Sequence, residues 1–157
     1  MKMLLYISVI AFSSMLIYGC ATTKTDSGKR PEIIFMESHY EKWHGGAPGS
    51  KSGTDFYINV IVNTNHSIYF DSIWAENRAQ KIKLIKNKEL LHDQSSISKG
   101  DTLMLRATFL NRDSTSEQAK PIVQINENQA LIKVITNDKI KYLVTKELIE
   151  KKGPLRP

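Results

Sequence analysis

From residue 32 onward, apolar and polar side chains alternate with a period of two rather than 3.6, the mark of strands with one buried face. In 55–63, Phe56, Ile58, Val60 and Val62 fall on one side, and Asn59 and Asn63 on the other. In 102–110, Leu103, Leu105, Ala107 and Phe109 oppose Arg106 and Thr108. Residues 130–136 align Ala130, Ile132 and Val134, and residues 140–145 align Ile140, Tyr142 and Val144. Shorter runs at 33–38, 68–74, 81–85 and 122–125 read as further strands.

The punctuation agrees with this pattern. Asn137-Asp138 separates two alternating runs, and both residues tolerate positive φ, so a tight hairpin is expected there. Lys99-Gly100-Asp101 leads into the strand at Thr102, and residues 63–67 divide two others. No long helix is expected; 89–94 reads as one helical turn and 146–152 as a short terminal one. Seven or eight short strands with frequent turns predict an all-β fold, a single small β-sandwich, with an up-and-down barrel as the alternative.

The first twenty residues have a different pattern. Lys2 gives a positive start, and Met3 to Tyr18 is apolar apart from Ser8, Ser13 and Ser14. The run is shorter than the roughly 20 apolar residues that span a bilayer, and it ends on a small residue, as a signal peptide does. Leu16-Ile17-Tyr18-Gly19-Cys20 resembles the lipobox of bacterial lipoproteins, with an aliphatic residue three before the cysteine and a small one directly before it. The resemblance implies that the Cys20 thiol takes a diacylglyceryl group, that a peptidase cuts between Gly19 and Cys20, and that the freed amine is acylated. One acyl chain holds weakly, at about 0.8 kcal/mol per buried methylene, whereas two or more hold firmly. The expected organisation is a signal peptide at 1–19, a lipidated tether at 20–31 and a β-sandwich domain at 32–157. Ala21 follows the cysteine, so the Asp that marks inner-membrane retention is absent, and the tether has no acidic cluster of the surface-export kind. Both point to the outer membrane with the domain facing the periplasm; the cell surface is the alternative.

The Gly-Asp entry at Thr102 and the closing hairpin resemble those of bacterial immunoglobulin-like domains, without the Cys-Trp-Cys core of antibody domains. The body also resembles small envelope lipoproteins through residues 37–43 with the glycine-rich stretch after them, Phe70 to Trp74, and Gly100 to Leu103. That group has no assigned activity, so it implies a fold and no mechanism.

Charge narrows the partners. Lys and Arg number 22 against 16 acidic residues, and removal of 1–19 takes away Lys2 alone, leaving net +5. The excess is moderate and spread along the chain, which does not select nucleic acid. Lysines around Ile82 to Ile85, and at 139, 141, 146, 151 and 152, read as edge-strand protection or as docking charge for an anionic membrane. The single cysteine is the lipidation site, so the domain has no disulfide and rests on its core.

Residues 45–55 are glycine-rich and flanked by Tyr40, Trp43 and His44. Gly49-Ser50-Lys51-Ser52 lacks the spacing of a phosphate-binding loop and is followed by a strand rather than a helix. The stretch reads as a long inter-strand loop. Its functional reading is a binding loop of Trp43, His44, Gly45, Gly46, Gly49 and Gly53 gripping a glycan or small ligand. His39 shares alternating spacing with Glu37 and Glu41, but no further ligand set is fixed, so no metal and no cofactor are expected. No nucleophile elbow is present, and a hydrolase of envelope material is the least supported class. The expectation is a noncatalytic accessory or binding module, held to the membrane by lipid and meeting an envelope protein or polymer.

Overall fold

The computed structural model describes residues 30–47, 49–111 and 122–153. Among the described residues, eleven strands run in chain order: β1 (Ile33–Phe35), β2 (His39–His44), β3 (Ser52–Val62), β4 (Ile68–Ala75), β5 (Arg78–Lys81), β6 (Lys83–Lys86), β7 (Glu89–Leu91), β8 (Thr102–Leu110), β9 (Leu131–Thr136), β10 (Lys139–Val144) and β11 (Ile149–Lys152). A 3-10 turn, Gln94–Ser96, precedes β8. The described residues from Pro31 onward form one compact unit.

The strands form two sheets. The first runs β11-β2-β3-β8-β6-β7, with β1 on β3 beyond the end of β2; the second runs β10-β9-β4-β5. Neither closes into a barrel, so the fold is a small β-sandwich. The core order is β2-β3-β8-β6 in one sheet and β10-β9-β4-β5 in the other. Every pairing is antiparallel except that of β11, which lies parallel to β2.

Alternation puts the even residues of β3 (Phe56, Ile58, Val60, Val62) and the odd residues of β8 (Leu103, Leu105, Ala107, Phe109) on the inner face, all buried. Phe70, Ile73, Ile132 and Val134 meet them from the second sheet. Phe56 and Phe109 pack edge to face with centroids 5.3 Å apart. Each such aliphatic or aromatic side chain contributes about 1.5–3 kcal/mol by leaving water, which replaces the stabilisation a disulfide would have given.

Two-residue turns set the register of three hairpins. Asn137-Asp138, as the sequence predicts, and also Glu76-Asn77 and Asn87-Lys88, have positive φ at both positions, the twist that suits adjoining strands. Ile82 is the crossing point between sheets. It divides the expected 81–85 strand into β5 in one sheet and β6 in the other, and its N–H reaches the Asp71 carbonyl at 3.3 Å.

Four expectations are corrected. The alternation at 140–145 predicts a buried face of Ile140, Tyr142 and Val144, but Ile140 is 56% exposed and Leu143, on the opposite face of β10, is the side chain that packs against the core. Residues 89–94 are not a helical turn: Glu89–Leu91 is a strand paired with β6, and the turn comes after it, where Asp93 caps the Ser95 N–H. Residues 146–152 do not end in a helix, because Ile149–Lys152 finds an open edge on β2. Residues 122–125 are apolar but form bends and coil rather than a strand.

Candidate functional site

Gly19 and Cys20 lie outside the described residues. Of the glycine-rich segment, the loop proper is 45–51, closed by the Gly45 N–H to the Lys51 carbonyl at 3.0 Å. Ser50 ties it internally, donating its N–H and its hydroxyl to the Ala47 carbonyl. A Cβ on Gly45 would overlap the Ser50 side chain, and Gly49 has φ +80, so both glycines are needed for this path. His44 and Gly46 are exposed at the loop's base. Trp43 and Gly53, by contrast, face each other across β2 and β3. The indole is only 7% exposed and lies against Gly53, where a Cβ would stand 2.9 Å from Trp43 Cζ2 and 2.5 Å from the Phe109 carbonyl. The structure therefore gathers Gly45, Gly46 and Gly49 in the loop, sets His44 at the end of β2 beside it, and places Trp43 and Gly53 in the sheet.

Below Trp43, the outer face of the first sheet carries a polar cluster. Register sets His39 beside Tyr57 beside Arg106, and Glu41 beside Asp55 beside Thr108. Asp55 is fully buried at 0% exposure. It accepts from Arg106 Nη2 at 3.0 Å and from the Tyr57 hydroxyl at 3.2 Å. The guanidinium also sits 5.4 Å from the centre of the Tyr57 ring, and His39 stacks on the other side of that ring's row at 4.9 Å. His39 Nε2 lies 3.6 Å from Glu41. Burial holds the His39 pKa below its usual value, with Lys151 adding to the effect against Glu41 and Glu37. Burial, then the Asp55 charge, raises that of Tyr57. Of the sequence-grouped trio, His39 and Glu41 share this face, and Glu37 lines a shallow depression with His39, Met36, Asn59, Thr102 and Lys151. Among the described residues no three His, Cys, Asp or Glu side chains are placed to hold a metal ion. Chemically the cluster is a braced surface: its buried carboxylate is engaged by a guanidinium and a phenol.

A second feature escaped the sequence reading. At the end where β4 begins, a cleft of about 470 Å³ opens between the Asn137-Asp138 turn, the 92–97 segment and exposed Tyr69. Gln94 shapes it by accepting from the Phe70 N–H at 2.8 Å and donating to the Phe70 carbonyl at 3.1 Å, so its amide stands in for a neighbouring strand. Asp93, its pKa lowered by the Ser95 hydroxyl and N–H, fixes the turn below. The Asp-x-Ser spacing at 93–95 was the available signal for this turn.

Compared with known proteins, the chain matches no family model, no curated protein and no solved structure.

Proposed function

We propose that the chain is a lipoprotein of the bacterial cell envelope, anchored through acylated Cys20 to the outer membrane and facing the periplasm, and that its sandwich is a noncatalytic accessory module. The observation that carries this is the Leu16–Cys20 motif placed directly at the end of the apolar run. Support comes from the compact unit beginning at Pro31, close downstream of that cysteine, and from the outer-face cluster, whose groups are spent on one another. The module meets an envelope protein or polymer. The test is a native-detergent pulldown of the full-length, C-terminally tagged protein from its own membranes. A stoichiometric envelope partner supports the reading; a monomer recovered alone from the membrane fraction counts against it.

A second reading, small-ligand or glycan binding, is favoured by the cleft beside Tyr69, which pairs an exposed ring with amide and carboxylate groups. A thermal-shift screen with envelope sugars tests it, and Tyr69→Ala should abolish any shift found. No movement of the melting point across the panel removes this reading.

A further inference from the structure

The solvent face of an antiparallel sheet is ordinarily polar. On the lower half of the first sheet it is not. Register places Ile34 beside Ile61, and Met104 beside Ile85 beside Leu90, and alternation turns all five away from the core. Met36, whose N–H bonds to the Asn59 carbonyl, borders the same surface. Ile34 is 40% exposed and Leu90 48%. The result is a largely apolar band on β1, β3, β8, β6 and β7, in which Asn59 stands beside Met104 and Thr102 beside Ile61. Patches of this kind on a small domain mark a contact surface.

The surroundings indicate what covers it. The segments 21–29 and 112–121 contain no large apolar side chain, so neither can supply a matching cover. The chain enters the sandwich at Pro31, three residues before Ile34, at the margin of the stripe; the Pro31 carbonyl is fixed there by the Asn63 amide at 3.0 Å. Eleven residues, Cys20 to Arg30, separate the anchoring cysteine from the sandwich, and a chain of that length spans at most about 36–40 Å when fully extended. Basic side chains fringe the stripe: Lys83 stands in the Arg106 row, Lys88 in the β6–β7 turn and Lys151 beside Met36. Of the acids on that face, Asp55 is paired with Arg106, and Glu37 lines the same depression as Met36 and Lys151.

We infer that this face lies against the anionic lipid surface to which the chain is tethered, with Ile34, Met36 and Leu90 entering the headgroup boundary and the lysines meeting phosphates. The inference rests on the lipid anchor proposed above. It predicts a fixed orientation of the sandwich: first sheet toward the bilayer, second sheet, with exposed Tyr69 and Ile140, toward the aqueous side.

The test uses the lipidated full-length protein in phosphatidylcholine–phosphatidylglycerol vesicles with brominated acyl chains. Cys20 is the only cysteine and is blocked by lipid, so Leu90→Cys or Ile140→Cys each gives one thiol for a fluorescent probe. The expected result is roughly threefold or greater quenching at position 90 over position 140, lost when Ile34→Asn and Ile85→Asn are added to a protein whose melting curve remains cooperative. Equal quenching at both positions, with Cys20 lipidated, overturns the docking inference alone. Protection of position 90 that persists in detergent and rises with protein concentration also overturns it, in favour of a second copy. Uptake of probe by Cys20 itself shows an unlipidated chain and removes the anchor reading, and the docking inference with it.

Discussion

Replacing Arg106 with Met keeps most of the aliphatic stem on the sheet and removes the guanidinium. The structure leaves Asp55 with no contact to water and the Tyr57 hydroxyl, 3.2 Å away, as a neutral donor. Breaking a fully buried ion pair costs about 3–5 kcal/mol. Arg106 is itself 35% exposed, so part of its own desolvation cost is recovered, and a loss of about 2–3 kcal/mol is expected for Arg106→Met. A domain of this size has roughly 6–18 kcal/mol in total, so the variant should still fold. Urea unfolding followed by tryptophan fluorescence should show the midpoint lowered by about 1–2 M with an unchanged slope. Adding Asp55→Asn to Arg106→Met should restore about half of the loss, because an amide no longer carries a desolvated charge. An Arg106→Met protein within about 0.5 kcal/mol of the parent would refute the reasoning, since the pair would then contribute no more than an exposed one.

Other consequences follow from the same geometry. His39 has a folded pKa below its ordinary value of 6.5, so the unfolded chain takes up a proton first as the pH falls. The stability linked to it is complete above about pH 6.5 and is lost as pH falls through the lowered value; melting temperature should drop between pH 7 and 5 in the parent and far less in His39→Gln. Asp101 and Glu32, both lowered chiefly by hydrogen bonds from Lys86 and Lys141 respectively, act in a separate window, giving stability above the ordinary carboxylate range that is lost at more acid pH, as acid titration of Lys86→Met and Lys141→Met should show. Gly53→Ala forces a methyl group onto Trp43 and the Phe109 carbonyl and should cost about 1–3 kcal/mol in a denaturant titration. Gln94→Ala removes both bonds to Phe70 and should cost about 1–2 kcal/mol, with hydrogen exchange at the Phe70 amide accelerated.

Legibility in the sequence followed burial. β3, β8 and β9 have one face in the core, and their alternation named them correctly, with inward residues assigned to the right side. Strands at the edge and next to it were harder. β11 reads Ile-Glu-Lys-Lys and is exposed throughout, so no pattern marks it, and β2, with His, Tyr, Glu, Lys, Trp and His, hides its strand character behind polar groups on both faces. Ile82 could not be read as a crossing because Lys81, Ile82, Lys83 and Leu84 alternate without a break. The candidate surfaces were less legible still. Asp55 opens the alternating run 55–63 with nothing in the sequence to mark it, yet it is fully buried, with Arg106 brought beside it from 51 residues away. The apolar stripe is assembled from five strands, none of which is unusual alone.

The account turns on Cys20. Mass spectrometry of the N-terminal peptide from protein purified out of its own membranes is the direct test. The account predicts a chain beginning at Cys20 and carrying a diacylglyceryl group with an acylated amine. A chain retaining residues 1–19, or one cut elsewhere with a free thiol at Cys20, would contradict it.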